Sequence, residues 1–327
     1  MEPVIPASIV IPCYNGSRTL TSLARCLRGA VGEDTEIIFV DDGSTDGSER
    51  LFASLVPGAT VVRQGNSGLA AARNAGARVA RGEFLQFLDV DDTIGQGKIK
   101  DQISFALKEH LDVVYSGWQM VVVNDEAVLR EPVCDAPMPC EPVRALMGGW
   151  WVPFHSYLIT REAYLGVNGS DDTLVNAQDF DLMLRLAIAG KKFGYLAGHY
   201  ADYFRYTSVK SLARGPRQRY WHDCQRAVEK GLEMLRCRGE LSKERKAAAA
   251  RKLHEVARSV YSIDRKWFGD VMERVLALDP KFSPPGSVGY RVGAKLLGFE
   301  RVERLAQRTR GFRRRRESFS AGGGSGS

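Results

Sequence analysis

Three acids end an apolar run in the first third of the chain. Residues 82–92 read GEFLQFLDVDD, so Asp89, Asp91 and Asp92 follow a strand-like segment. Carboxylates at the end of a buried strand repel one another and lose hydration, and a bound divalent cation relieves both costs. Oxygen ligands select a hard cation such as Mg²⁺ or Mn²⁺, and Asp89 and Asp91 point to one side of an extended backbone. The alternative is a solvated acidic turn or a helix N-cap.

Strands and helices alternate around these acids, which predicts an α/β fold. The predicted strands are 8–11, 36–40, 60–62, 83–88, 112–116 and 157–159, and the predicted helices are 17–30, 48–55, 68–80, 99–109 and 178–190. This alternation implies a Rossmann-like, mostly parallel central sheet with helices on both faces. Ligands of such sheets bind beyond the carboxyl ends of the strands, where residues 12–15, 41–42 and 89–91 all lie.

The last third of the chain has few strand signals. Helices are predicted at 219–236 and at 243–278, so we expect an α/β domain over 1–214 and a helical C-terminal region over 215–318. Residues 319–327 have the composition of a flexible linker.

The composition is that of a soluble globular protein, with 44% apolar and 26% charged residues. No apolar stretch approaches the roughly 18–20 residues of a membrane span. The first residues lack the basic start and apolar core of a signal peptide, so a cytoplasmic location is expected. The six cysteines form no C-x-x-C pair, which favours free thiols in a chain of this size.

The net charge of +7 lies entirely in the tail, because ten Lys/Arg and three Glu follow Gly286 while the rest of the chain is balanced. Apolar residues in the basic segment 289–316 favour one side of a helix, and these are Leu296, Leu297, Phe299, Val302 and Leu305. A basic amphipathic helix of this kind binds the surface of an anionic membrane. A helix docked on the protein and a disordered tail are the alternatives. The tail lacks interleaved aromatic residues, which argues against nucleic-acid binding.

Five motifs, in this order, resemble the inverting glycosyltransferases of family 2, which have the nucleotide-sugar-binding GT-A fold. The motifs are IVIPCYN at 9–15, VDDGSTD at 40–46, GLAAARNAG at 68–76, LDVDD at 88–92 and QDFDLMLRL at 178–186. The resemblance covers roughly residues 7–212, and it marks 1–214 as the catalytic domain. One position departs from the family, which usually has Glu where this chain has Gln178.

The resemblance implies a metal-dependent transfer of a hexosyl group from a nucleotide-sugar, with a UDP-sugar expected, to an acceptor hydroxyl in polysaccharide or glycolipid biosynthesis. Asp91, with Asp89 or Asp92, would hold Mg²⁺ or Mn²⁺ against the leaving diphosphate. Asp179 matches the family base, with Asp181 as the nearby competitor. The residues that resemble nucleotide contacts are Pro12 and Tyr14 beside the base, Asp42 as its hydrogen-bond acceptor, Arg73, Asp89 at the ribose, and Arg205 with Ser208 near the diphosphate.

Each of these residues also has an ordinary structural interpretation, such as a strand-end turn, a surface arginine or an N-terminal helix acid. The aromatic cluster of Trp150, Trp151 and Phe154 beside His155 suits sugar stacking, although burial in a core is the commoner use.

Other functions are less compatible with the motifs. The dinucleotide-binding and phosphate-loop glycine patterns are absent from the sequence. A nucleotidyltransferase, or a non-catalytic nucleotide-sugar-binding protein, remains the alternative function. The donor sugar, the glycan or lipid-linked acceptor and the presence of a homo-oligomer stay open.

Overall fold

In the part of the chain that the structure describes, nine strands form one sheet, which is the framework of the first part of the protein. The structure, a computed structural model, describes residues 5–32, 34–124, 127–206 and 217–307. Within the described parts the chain forms two compact units, one ending at Glu240 and the other beginning at Leu241.

The strands of the first unit follow the order β3-β2-β1-β4-β8-β6-β9-β5, and β7 pairs with β6. Strands β1 to β4 are mutually parallel where they pair, β8 is antiparallel to both β4 and β6, and β6 is parallel to β9. The strands are β1 (Ala7–Cys13), β2 (Thr35–Asp41), β3 (Thr60–Arg63), β4 (Phe84–Phe87), β5 (Thr93–Ile94), β6 (Val113–Val123), β7 (Val128–Arg130), β8 (Leu158–Thr160) and β9 (Phe193–Tyr206).

Helices of the first unit pack against the sheet or against one another, and most of them connect its strands. They are α1 (Leu20–Ala30), α2 (Ser48–Leu55), α3 (Leu69–Val79), α4 (Lys98–Glu109), α5 (Pro142–Met147), α6 (Arg161–Gly166), α7 (Gln178–Ile188) and α8 (Arg217–Cys237), with a short 3₁₀ turn at Phe154–Ser156. Helix α3 lies close against the sheet at Gly76, where a Cβ atom would stand only 2.3 Å from Val10 Cγ1. This close approach fixes α3, and the site residues on it, against β1 and β2.

The predicted α/β class is confirmed, and the sheet is mixed, with four parallel and four antiparallel strand pairs among the described residues. The long strand β9 was not predicted, because most of its residues are only half-buried and polar side chains interrupt its apolar pattern. It pairs along the whole of β6, with a register shift at Gly117.

The second unit consists of α9 (Lys243–Val260), α10 (Arg265–Leu278), α11 (Val288–Leu297) and a further helical segment at 299–307. The prediction of one helix over 243–278 was wrong. The Asp264 carboxylate accepts a hydrogen bond from the Trp267 backbone N–H at 3.0 Å and caps the start of α10, so two helices form instead of one.

The basic tail is also not one continuous amphipathic helix. Gly298, with φ of +82°, follows α11, and Val302 beyond it is buried in the second unit. The Phe299 ring lies 6.1 Å from those of His254 and Phe282, so part of the expected lipid-facing side belongs to the core of this unit. Residues 308–316 of the tail, and 319–327, lie outside the described residues. None of the helices in the described ranges is long and apolar enough to cross a membrane.

Candidate active site

The carboxyl ends of β1 and β2 are joined by hydrogen bonds between their loops. The backbone N–H of Asn15 donates to Ser44 Oγ at 2.9 Å, and Asn15 Oδ1 accepts from the backbone N–H of Thr45 at 2.8 Å. Pro12 is buried in β1, whereas the Tyr14 side chain is 53% exposed at the edge of these loops. The two loops are therefore tied together at this edge of the sheet, and the exposed Tyr14 ring could stack on a flat ligand there.

Asp42 is buried, and both of its carboxylate oxygens are used within the protein. Oδ1 accepts from Gln64 Nε2 and the Ser67 backbone N–H, and Oδ2 accepts from the Gly68 N–H, all at 2.8 Å. The carboxylate thus holds the loop that leads into α3. The nucleotide contact predicted for Asp42 would have to compete with these bonds.

Asp41, which the sequence analysis did not single out, has an unused oxygen. Its side chain is fully buried, and Oδ1 accepts from the Ser44 N–H at 3.2 Å. Oδ2 has no hydrogen-bond partner among the described residues, and the exposed Arg63 guanidinium is 3.8 Å away. A buried acceptor without a partner is costly, and a ligand N–H would satisfy it.

Arg73, on α3, brings two of the predicted site acids together. Its guanidinium donates to Asp179 Oδ1 at 2.5 Å and to both oxygens of Asp89, at 3.0 and 3.2 Å. The Arg73 side chain is buried and lies 4.3 Å above the Phe154 ring. Loss of hydration raises the pKa of Asp179, while the charge of Arg73 opposes this shift. One arginine therefore links the acid cluster after β4 to the predicted base on α7.

The remaining two acids of the cluster differ in their surroundings. Asp92 is turned into the protein, where its Oδ2 lies 3.0 Å from His155 Nδ1 and its Oδ1 accepts from the Phe204 backbone N–H at 3.0 Å. Burial raises the pKa of Asp91 to about 7, and the charges of Asp92 and Asp89 contribute to the shift.

The acids after β4 could bind a divalent cation whose coordination is completed by a bound ligand. No group of three His, Cys, Asp or Glu side chains in the described ranges is arranged as a ready-made metal site. However, burial, and then the charges of Asp92 and Asp89, raise the pKa of Asp91, so a cation would stabilise its ionised form, and Mg²⁺ commonly uses one or two carboxylates plus substrate phosphates. Asp91 and the partly exposed Asp89 meet that requirement, while Asp92 is engaged by His155 and Phe204.

Helix α7 presents Asp179 in its first turn, and its neighbours have structural roles. Gln178 Nε2 donates to the carbonyl oxygens of Leu174 and Val175, at 2.8 and 3.0 Å. A glutamate at this position has no proton to donate when ionised, which gives a physical reason for the departure from the family pattern.

Asp181, the competing candidate for the base, is buried and paired with two basic side chains. Its Oδ2 accepts from Arg185 Nε at 2.7 Å, and its Oδ1 lies 3.1 Å from Lys230 Nζ. Of the two acids, only Asp179 is both in contact with the acid cluster through Arg73 and partly open to solvent.

Strand β9 supplies the far side of the site. Arg205 is exposed near the end of β9 and shares a face of the strand with Tyr203, two residues earlier. The nearby Ser208 lies outside the described residues.

Comparisons with known proteins agree with this geometry. Residues 8–139 match the model of the family described as "Glycosyl transferase family 2". The chain is 27% identical over 238 residues to the amylovoran biosynthesis glycosyltransferase AmsB of Erwinia amylovora, over 66% of this chain and 75% of that protein. It is 34% identical over 116 residues to an uncharacterised glycosyltransferase of Haemophilus influenzae, over 34% of this chain and 46% of that protein, so it spans less than half of that relative.

Solved structures support the fold. The crystal structure of S. aureus TarS 1–349 in complex with UDP-GlcNAc has a TM-score of 0.66 and 17% identity, and the match covers 93% of this chain and 92% of that one. The complex of the same TarS fragment with UDP has a TM-score of 0.63 and 18% identity. At this identity the likeness concerns the fold, and it confirms the predicted GT-A architecture.

Proposed function

We propose that this chain, which belongs to glycosyltransferase family 2, transfers a sugar from a nucleotide-sugar to an acceptor hydroxyl and inverts the anomeric configuration. The observation that carries the proposal is the Arg73 guanidinium, which joins Asp89 of the acid cluster to Asp179. These contacts support the proposal because they link Asp89, which we assign to the donor side, to Asp179, which we assign to the acceptor side. The UDP and UDP-GlcNAc complexes of TarS support a UDP-sugar as donor.

The nucleotide would bind over the ends of β1 and β2. The Tyr14 ring, which is exposed there, would cover the base. We assign the acceptor of the base N–H to Asp41, because its Oδ2 accepts no hydrogen bond in the described structure, whereas Asp42 already accepts three.

Asp91, together with Asp89, would hold Mg²⁺ or Mn²⁺. The cation would neutralise the charge that develops on the diphosphate leaving group. The role of Asp92 in this proposal is to position the site through His155 and the backbone of Phe204.

Asp179 would act as the general base on the acceptor hydroxyl. Its raised pKa makes it a stronger base than an ordinary aspartate, and Arg73 keeps it ionised and oriented. A single displacement inverts the anomeric centre, so an α-linked donor would give a β-linked product. The name of the Erwinia amylovora relative supports a role in polysaccharide biosynthesis.

Metal-dependent nucleotide binding tests the donor half of this proposal. Calorimetry should show that UDP affinity requires Mg²⁺ or Mn²⁺ and collapses in Asp91→Ala, because the carboxylate that anchors the cation is lost. Asp34→Ala removes an exposed acid ahead of β2 and should leave the affinity unchanged. Metal-independent binding that is equal in wild type and Asp91→Ala would contradict the assignment.

We also propose that the second unit binds an anionic membrane surface through α11, near a lipid-linked or exported glycan acceptor. Val288, Val292 and Leu296 follow one another at four-residue spacing and are all exposed, and Arg291 and Lys295 flank them. Each basic residue close to an anionic surface contributes about 1 kcal/mol.

Flotation with vesicles tests this membrane surface. The full chain should float with phosphatidylglycerol vesicles but not with neutral ones, and salt should weaken the binding. Replacing Val292 and Leu296 together by Glu should abolish flotation, whereas Leu107→Glu, on an exposed position of α4, should not. Equal recovery of wild type and the double variant in the floated fraction would contradict the proposal and leave the donor site unaffected.

A further inference from the structure

Three aromatic side chains form a wall beside the acid cluster. Trp118 on β6, Trp151 in the loop before the 3₁₀ turn, and Tyr203 on β9 contact one another edge to face. The ring centroids of Trp118 and Trp151 are 5.1 Å apart, those of Trp151 and Tyr203 5.8 Å, and those of Trp118 and Tyr203 6.3 Å. We call these three residues the aromatic wall.

The aromatic wall borders the candidate active site directly. The residue after Tyr203 donates its backbone N–H to Asp92, and the ring of His155, the other partner of Asp92, lies 6.4 Å from the Tyr203 ring. Burial raises the pKa of Tyr203 to about 12, and the acids that add to this shift are those of the site, namely Asp92, Asp91, Asp89 and Asp179.

Two features of the wall point to a ligand. The Trp151 side chain stays 46% exposed, although it is a large aromatic residue that packs against Trp118 and Tyr203. The Trp118 side chain is buried, and its indole N–H has no hydrogen-bond partner among the described residues. A buried donor without a partner is costly, and a ligand hydroxyl would remove this cost.

The order of the strands separates this wall from the nucleotide. Strands β1 and β2, which carry Tyr14 and Asp41 at their ends, lie on one side of β4, and β6 and β9 lie on the other. The acids after β4 stand between the two regions. A ligand on the aromatic wall therefore approaches Asp179 and the acid cluster from the side away from the nucleotide.

We infer that the aromatic wall is an acceptor subsite that binds a pyranose ring of a glycan acceptor. A pyranose has a face of C–H groups that packs against an aromatic ring and a rim of hydroxyls that accept and donate hydrogen bonds, which matches an exposed indole beside an unpaired N–H. The inference rests on the proposed function, since it names the substrate class that Asp179 would deprotonate.

Saturation-transfer NMR on the full chain tests the subsite. The probes are the methyl β-pyranosides of glucose, galactose and N-acetylglucosamine, with UDP and Mg²⁺ present at saturating concentration. At least one probe should receive saturation at its ring C–H protons. Trp151→Ala should weaken its binding by about tenfold or more, and Trp151→Phe should restore most of it. Trp267→Ala, which removes an indole from the second unit, is the matched control and should have no effect.

Several outcomes would overturn the inference. These are the absence of any signal from all three probes on the wild-type protein, unchanged binding in Trp151→Ala, and binding that is lost when UDP is added, which would place the sugar in the donor pocket. UDP affinity, measured on the same samples by calorimetry, should be equal in wild type and Trp151→Ala. A wild-type protein that binds no UDP would instead contradict the proposed function.

Discussion

At the scale of single residues, the site depends on a buried arginine that serves two carboxylates. Although burial disfavours its charge, Asp89 and Asp179 raise the pKa of Arg73, so the guanidinium stays protonated. Because Arg73 pairs with both acids, the loss of one carboxylate charge leaves the guanidinium paired with the other. The position of the base and the position of the donor-side acid are therefore coupled through one side chain.

The adjacent acids Asp41 and Asp42 are expected to respond differently to the same substitution. Asp41→Asn should weaken UDP binding with little change in stability, because the lost oxygen accepts no hydrogen bond in the described structure and its ion-pair partner, the exposed Arg63, is 3.8 Å away. Asp42→Asn should instead lower the free energy of unfolding by about 1–3 kcal/mol, because it removes a charged acceptor from three hydrogen bonds.

Calorimetry with UDP and urea denaturation of both variants check this prediction, and each variant is the control for the other. If Asp42→Asn lost UDP binding at unchanged stability and Asp41→Asn bound UDP as the wild type does, the residue that contacts the nucleotide would be Asp42.

At the scale of elements, the sequence predicted what depends on local pattern. Strands β1, β2 and β4 are fully or largely buried, so they read as continuous apolar runs, and the acids at their ends are visible as motifs. The partners of those acids were not predictable, because Asp42 bonds residues 22 to 26 positions away and Arg73 bonds Asp179 across 106 positions. The sequence also could not tell Asp41 from Asp42, because the two acids are adjacent in one motif. Only the three-dimensional surroundings show that Asp41 Oδ2 accepts no hydrogen bond.

Helix α9 carries a histidine that should make the second unit sensitive to acid. The His254 side chain is buried among the rings of Phe282, Tyr290 and Phe299, and its Nε2 has no hydrogen-bond partner among the described residues. Burial, and then the charge of Arg258, lower the pKa of His254 from 6.5 to about 4, while the buried Glu303 opposes the shift.

The sign of the effect follows from this depressed pKa. The unfolded chain binds a proton near pH 6.5 and the folded one only near pH 4, so the contribution is complete above pH 6.5 and is lost as the pH falls between these values. The loss amounts to about 3 kcal/mol by pH 4, at 1.36 kcal/mol for each pKa unit. Urea denaturation at pH 7 and pH 4.5 should show a smaller acid loss in His254→Phe than in wild type. His222→Phe, on an exposed position of α8, should retain the wild-type loss; equal losses in wild type and His254→Phe would contradict the prediction.

At the scale of the whole molecule, the two units call for different kinds of sequence reasoning. The first unit has motifs whose order identified a family, although the matched family model covers residues 8–139 and Asp179 lies beyond it. The second unit has only helical periodicity and charge, so its helices were predicted but its core was not. Phe299 and Val302 were expected to face a membrane, but Val302 is buried and the half-buried Phe299 ring lies near those of His254 on α9 and Phe282 after α10, which periodicity alone does not reveal.

The central claim is that Asp179 is the base of an inverting sugar transfer. The most direct test follows the anomeric proton of the product by NMR, with a UDP-sugar that the wild type turns over. The account predicts an inverted product and a rate that falls by roughly 10²–10⁴-fold in Asp179→Asn at unchanged UDP affinity. Asp172→Asn, at an exposed position in the preceding loop, should keep the wild-type rate. A retained anomeric configuration, or transfer by Asp179→Asn at close to the wild-type rate, would contradict the account.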